Sequence, residues 1–153
     1  MTEPTTFQVL TGDCQSFTMP VSAAQVSGTI QKLIEDLGDD PDQVIPLPNV
    51  DGSTMSIILQ YCDLYTSHVY YGTQDAVTEF LTPLPIDTIF SMLHAANYLD
   101  MQMLLQSLTS HVASMMRGKT PQELRDIFQI TNDFTPEEEA EILEENAWAF
   151  ASK

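Results

Sequence analysis

The sequence predicts an α+β domain with a small sheet, followed by a helical extension. Three observations carry this expectation. Two short strand-like runs near the N-terminus flank a Gly-Asp turn. Apolar residues then recur at helical spacing along most of the chain, interrupted by one further strand-like run. The last third shows the same helix-start chemistry twice. The order β, β, α, β, α and then mostly α is that of an α+β domain carrying extra helices.

In order along the chain, Phe7–Thr11 and Ser16–Met19 read as a β-hairpin around Gly12-Asp13. Ser22-Ala23-Ala24-Gln25 offers a cap with Gln at N3. Val26, Ile30, Leu33, Ile34 and Leu37 follow at helical spacing and end at Gly38, with Gly28 a soft spot that divides the helix into two segments. Residues 38–42 read as a loop. Val44–Leu47 reads as a short strand that Pro46, lacking an N–H, confines to an edge or to one side of a ladder. Met55, Ile58, Leu59, Cys62 and Tyr65 mark the face of a helix starting after Asp51-Gly52-Ser53. Residues 66–76 carry no clear period and read as a surface loop. Pro85-Ile86-Asp87-Thr88 opens a helix through Ile89, Phe90, Leu93 and Ala96 to Asn97-Tyr98-Leu99-Asp100. Another carries Leu104, Leu105, Leu108, Val112, Met115 and Met116 and ends near Gly118.

The remaining stretch is the most informative. Thr120-Pro121-Gln122-Glu123 places a hydroxyl at N-cap, a proline at N1 and a carboxylate at N3, and Thr135-Pro136-Glu137-Glu138 repeats it. The hydroxyl accepts from an orphan N–H, the glutamate reaches back to the cap, and proline has no N–H to leave unsatisfied. Two well-started helices are expected, with an Asn132-Asp133 turn between them. The second is too polar for a core helix, and its apolar residues Ile142, Leu143, Ala147, Trp148 and Phe150 come late. Such a helix docks either on its own domain or over a partner.

Composition excludes several classes. Five Lys+Arg stand against 22 Asp+Glu, a formal net charge of −17 over 153 residues. Binding to nucleic acid or anionic membrane begins with basic side chains against phosphate, so neither is expected as a partner. Three of the five basic residues, Arg117, Lys119 and Arg125, cluster, and Arg117 and Lys119 fall at an expected helix end, where they complement its dipole. Cys14 and Cys62 have no metal or redox spacing and read as reduced thiols, which with the polar N-terminus suggests a cytoplasmic and nuclear protein. No apolar run approaches the ~20 residues of a membrane span.

No catalytic or cofactor-binding constellation is present, and no metal site or enzyme activity is expected. His68, His94 and His111 are widely separated. Cys62 sits on an apolar helix face and reads as a structural thiol. Glu137, Glu138 and Glu139 are consecutive helix residues pointing about 100° apart, so they do not converge on one ion. Met92, Met101, Met103, Met115 and Met116 suit either core filling or an adaptable surface. Periodicity favours core for Met115 and Met116, leaving Met101 and Met103 as interface candidates.

Gly118-Lys119-Thr120-Pro121, Phe128 through Glu139 and Glu145-Asn146-Ala147-Trp148 resemble the C-terminal signature of the Skp-type adaptors of SCF ubiquitin ligases. Leu37-Gly38, Pro46-Leu47-Pro48-Asn49-Val50, Gln60-Tyr61-Cys62, Glu79-Phe80-Leu81 and Ala95-Ala96-Asn97-Tyr98-Leu99-Asp100 fit the same family in the same order. The resemblance runs from about Phe7 to Trp148. Two departures stand out: the region around 66–76 is shorter and less acidic than in the family, and Met101–Met103 replaces a more polar Lys-Gly step.

The resemblance implies a BTB/POZ-like domain over residues 1–105 that faces a cullin, and a C-terminal helical extension over 106–153 that binds the F-box of substrate receptors. It implies Asn97 and Tyr98 at the cullin interface. It implies an F-box interface drawn from Met101, Met103, Leu104, Leu105, Leu108, Ile127, Phe128, Ile130, Ile142, Leu143, Asn146 and Trp148, some of which serve as intradomain core instead. Without partners, such an apolar surface is expected to form a weak homodimer. In some members the proline matching Pro136 is hydroxylated and glycosylated, although N1 capping alone explains a proline there. A member that binds F-box proteins outside the cullin pathway is the alternative.

Overall fold

The computed structural model describes residues 6–37, 44–67 and 73–150. The loop expected at 38–42 and His68 lie outside the described residues. β1 (Thr6–Thr11) pairs antiparallel with β2 (Ser16–Pro20) and parallel with β3 (Val44–Leu47), in the order β2-β1-β3. Helices α1 (Val21–Ala24), α2 (Gly28–Leu37), α3 (Gly52–Ser67), α4 (Thr73–Leu81), α5 (Ile86–Tyr98), α6 (Gln102–Met116), α7 (Pro121–Phe128), α8 (Pro136–Glu145) and α9 (Ala147–Phe150) follow in chain order around and after β3. The chain is α+β, as expected. It divides into two compact units between Arg117 and Gly118. The boundary expected after residue 105 falls inside α6, a helix that buries Leu104 and Leu108 in the first unit's core.

Alternation along the strands builds one apolar face. Val9 pairs with Ile45 and Thr11 with Leu47, and all four are buried, whereas Leu10 and its neighbour Pro46 are exposed. β3 is an edge strand, where a missing N–H is tolerated. On the inner face lie Ile30 of α2, Met55, Ile58, Tyr61 and Cys62 of α3, Val77 and Leu81 of α4, Ile89, Met92, Ala95 and Ala96 of α5, and Leu104 and Leu108 of α6. Each fully buried Leu or Ile contributes roughly 1.5–3 kcal/mol.

Several local expectations need correction. Thr66 and Ser67 close α3, their hydroxyls donating to the Cys62 and Asp63 carbonyls, and residues 73–76 belong to α4, so much of the expected 66–76 loop is helical. Tyr61, off the expected apolar face, is only 2% exposed, and Phe90, placed on the α5 face by periodicity, is exposed. Ser22 does not cap a helix. Pro20 precedes α1 without a side-chain cap, and Gln25 follows it.

The break at Gly28 comes from a joint between two helix ends. Ser27 caps α2: the Ile30 N–H donates to Ser27 Oγ at 3.2 Å, and the Ser27 hydroxyl donates to the Leu99 carbonyl at 2.6 Å. The Gly28 N–H donates to the Asp100 carbonyl at 3.2 Å, the Thr29 N–H to the Leu99 carbonyl at 3.3 Å and the Thr29 hydroxyl to the Tyr98 carbonyl at 2.8 Å. The orphan donors of one helix start thus meet the orphan acceptors of another helix end. A Cβ at position 28 would land on the Asp100 carboxylate. Asp100 itself is left-handed (φ 52°), and the Met101 N–H reaches the Ala96 carbonyl at 2.9 Å while the Asp100 N–H reaches that of Asn97 at 3.2 Å. That pair of bonds is a Schellman turn, with aspartate where glycine is usual.

A second polar joint ties the hairpin to α3. Asp13 accepts from the Gly52 N–H at 2.9 Å, from Gln15 Nε2 at 2.7 Å and from the Thr11 hydroxyl. Asp51 caps α3, accepting from the Thr54 N–H and the Ser53 hydroxyl, each at 2.7 Å. The Thr11 hydroxyl chiefly holds the Asp13 carboxyl below its ordinary 3.8, and the Thr54 N–H does so for Asp51.

Two outcomes follow. Ser27→Ala, which removes both the cap and the bond to Leu99, lowers unfolding stability by about 1–2 kcal/mol in chemical denaturation. Carboxyls depressed on folding contribute stability that is present above their unfolded value of about 3.9 and lost as pH falls through the lower folded value. Stability therefore drops on acidification below about pH 4. Asp51→Asn, which caps as well without titrating, flattens that part of the stability–pH curve.

Candidate protein-interaction site

Two surfaces answer to the expected interaction residues, one in each compact unit. In the first unit the end of α5 is held by Ser27, Gly28 and Thr29 through the Leu99, Asp100 and Tyr98 carbonyls. Asn97 is exposed there. Tyr98 is half-buried, its ring against the core. A side chain so placed has an apolar body already fixed and a polar tip free to contact a partner.

The next segment requires a correction. Met101, Leu104 and Leu108, expected at the F-box interface, are core residues with 0–1% exposure. The Schellman turn carries Met101 inward, and Leu104 and Leu108 lie four residues apart on one side of α6. Met103, between them in sequence, is 54% exposed, and Leu105 is half-buried. Met116, assigned to the core by periodicity, is exposed.

The second unit is built from local bonds. Thr120 Oγ1 accepts from the Glu123 N–H at 3.3 Å and Glu123 Oε2 from the Thr120 N–H at 2.7 Å. Thr135 and Glu138 repeat the pair at 3.2 and 2.9 Å. Both expected capping boxes are present, and Pro121 and Pro136 open their helices. α7 stops at Gln129 (φ 56°), where the Ile130 N–H reaches the Arg125 carbonyl at 2.9 Å. Asn132 Oδ1 accepts from the Phe134 N–H at 3.2 Å, making the expected turn, and Arg125 Nη1 pairs with Glu139 Oε1 at 3.5 Å. The helix expected to continue to 150 instead ends at Asn146, whose side-chain amide and backbone N–H both donate to the Ile142 carbonyl. Asn146 is therefore engaged in ending α8, and α9 starts afresh.

None of the described side chains of this unit is buried. Ile130, Ile142 and Leu143 are exposed, Trp148 is 76% exposed, and Ile127 and Phe128 are half-buried. Phe134, also exposed, belongs with them and was overlooked because it falls in a turn rather than on a helix face. An exposed apolar set of this kind suits an interaction surface. Its surroundings are acidic: Glu137, Glu138, Glu141, Glu144 and Glu145 are all exposed.

Burial pushes the Cys62 thiol up to about 12, which leaves it a neutral core group. Among the described residues no three His, Cys, Asp or Glu side chains group to hold a metal ion, and no helix is long and apolar enough to cross a membrane.

Comparison with known proteins bears on both units. A family model described as the Skp1 family, tetramerisation domain, matches residues 6–67, and one described as the Skp1 family, dimerisation domain, matches residues 102–149. The SCF ubiquitin ligase complex protein SKP1a of Dictyostelium discoideum is 42% identical over 147 residues, covering 89% of this chain and 90% of its own. The SKP1-like protein 3 of Arabidopsis thaliana is 40% identical over 152 residues, covering 90% and 91%. The SKP1-like protein 14 of the same plant is 40% identical over 142 residues, covering 90% and 92%.

The division of α6 between core and surface is testable by substitution. Leu104→Ala lowers stability by about 2–5 kcal/mol, as core truncations do, whereas Met103→Ala leaves it within about 0.5 kcal/mol. Denaturant midpoints of the two variants decide the assignment.

Proposed function

Because this chain belongs to the Skp1 family, we propose that it is the adaptor subunit of an SCF-type ubiquitin ligase, bridging a cullin scaffold to F-box substrate receptors and performing no chemistry itself. The observation that carries this reading is the second unit, in which Ile142 and Leu143 of α8, Trp148 of α9, and Ile130 and Phe134 of the connection between α7 and α8 all stand exposed. An F-box, a short helical motif, buries these residues, and apolar burial supplies most of the affinity. The first unit meets the cullin around Asn97 and Tyr98, on a helix end made rigid by Ser27 and Thr29. With Met101, Leu104 and Leu108 in the core, the half-buried Ile127 and Phe128 supply the remainder of the second unit's F-box surface. Unpartnered, the exposed set supports weak self-association. The formal charge of −17 is unsuited to nucleic acid, and the protein acts in the cytoplasm and nucleus.

One departure supports a second reading, an F-box partner outside the cullin pathway. Met103 stands exposed where the resemblance implies a polar step, just past Asn97 and Tyr98 in sequence.

Single substitutions separate the two surfaces. Trp148→Ala weakens binding of an F-box domain by about 2 kcal/mol or more, roughly thirtyfold, and leaves affinity for a cullin N-terminal domain unchanged. Tyr98→Ala does the reverse. Titration calorimetry of both variants against both partners reads the result, and an F-box affinity unmoved by Trp148→Ala in a folded protein removes the assignment of that surface.

A further inference from the structure

The basic stretch of this acidic chain falls at the boundary of its two units. From Met101 to Gln122 the sequence has no Asp or Glu, yet it carries Arg117 and Lys119. Among the described residues the other lysine and arginine side chains are Lys32 and Arg125.

These four differ in what holds their backbone. Lys32 is exposed but lies within α2, whose start is tied to the end of α5 by Ser27, Gly28 and Thr29 and whose Ile30 is fully buried. Arg125 lies within α7, its side chain 16% exposed and paired with Glu139. Arg117 and Lys119 are exposed and stand outside the helices. Arg117 already has extended backbone angles (φ −62°, ψ 125°), and Gly118 follows with φ 73°. The last turns of α6 are held by little besides their own bonds. Beyond Leu108 that helix buries no side chain, and the Arg117 N–H reaches the Ala113 carbonyl at 3.2 Å. A helix end without buried contacts opens at low cost.

We propose that the Arg117–Gly118 peptide bond is the chain's site of limited proteolysis by enzymes that cut after basic residues. Such a protease carries a carboxylate in its primary pocket, so an acidic surface repels it and an acid-free basic stretch draws it in. It also needs its substrate extended. Fraying of the last α6 turn extends Met115 and Met116 before the bond, and Gly118 leaves its positive φ without steric cost after it. The next bond along is better protected: the Thr120 N–H, which belongs to the Lys119–Thr120 peptide, is held by Glu123 Oε2 at 2.7 Å in the α7 capping box. Hydrolysis adds water across the amide. The water oxygen joins the Arg117 carbonyl carbon, the C–N bond breaks, and Gly118 leaves as a new amino terminus. The cut parts the unit that carries the buried core from the unit whose apolar side chains stand exposed. It therefore disconnects the two surfaces irreversibly, and the site stands whether or not they bind the partners proposed above.

The test treats the full-length chain with trypsin at a low enzyme ratio in native buffer and follows intact mass over time. The first products are residues 1–117 and a fragment beginning at Gly118, while the bonds after Lys32 and Arg125 persist. Arg117→Gln slows loss of the intact chain severalfold, and Lys119→Gln slows it less. Both replace exposed side chains and leave the melting temperature unchanged. A first cut after Lys32, Lys119 or Arg125, or loss of the Arg117→Gln chain at the wild-type rate, overturns the proposal.

Discussion

Every helix ends in backbone groups that its own turns cannot satisfy. In the first unit the start of α2 and the end of α5 satisfy each other. Ser27, Gly28 and Thr29 bond the carbonyls of Tyr98, Leu99 and Asp100 across a sequence separation of about seventy residues. Much else depends on this joint. It needs glycine at 28, because the Asp100 carboxylate occupies the space a Cβ would take. It accompanies a left-handed Asp100, which turns the chain so that α6 begins with Met101 buried and Leu104 and Leu108 facing inward. It also holds the helix end that carries Asn97 and Tyr98. A joint satisfied on both sides makes a stiff platform, which lets a recognition surface bind without first being ordered.

The second unit follows the opposite principle. Its helices α7 and α8 are started by capping boxes and prolines, stopped by Gln129 and Asn146, and tied by the Arg125–Glu139 ion pair. Each cap is worth about 1 kcal/mol and such a pair less than about 1 kcal/mol. No described side chain of the unit is buried. Local chemistry thus preserves helical shape while leaving isoleucine, leucine, phenylalanine and tryptophan uncovered among acidic side chains, and in the proposed function a partner covers them. Stability and recognition are divided accordingly: one unit carries the core, the other the exposed apolar surface.

What was legible in the sequence follows the range of the interactions involved. The capping boxes at Thr120 and Thr135 act over three residues and could be read directly. The hairpin was readable from its Gly12-Asp13 turn, the position of β3 at an edge or on one side of a ladder from Pro46, and the helices through Ile89 and Leu104 from their apolar spacing. The Ser27–Leu99 joint was not legible, because its partners lie far apart and Ser27 resembles any other cap; the misplaced cap at Ser22 was the cost. Periodicity finds an apolar face without saying what covers it. Leu104 and Leu108, candidates for a partner surface through the resemblance, are among those that serve the core, and Met116, which periodicity favoured for the core, lies exposed. Tyr61 escaped notice because it sits beside the expected stripe on α3, and Phe134 because it occupies a turn. The period was weakest across 66–76, where both flanking helices extend further than expected.

The account holds that a rigid helix end in one unit and an uncovered apolar surface in the other engage different partners at once. Light scattering on a mixture of this chain, an F-box domain and a cullin N-terminal domain tests that directly. The account predicts a single 1:1:1 species whose mass is the sum of the three, with each partner's affinity unaffected by the other. Mutually exclusive binding, or no complex with either partner, would contradict it.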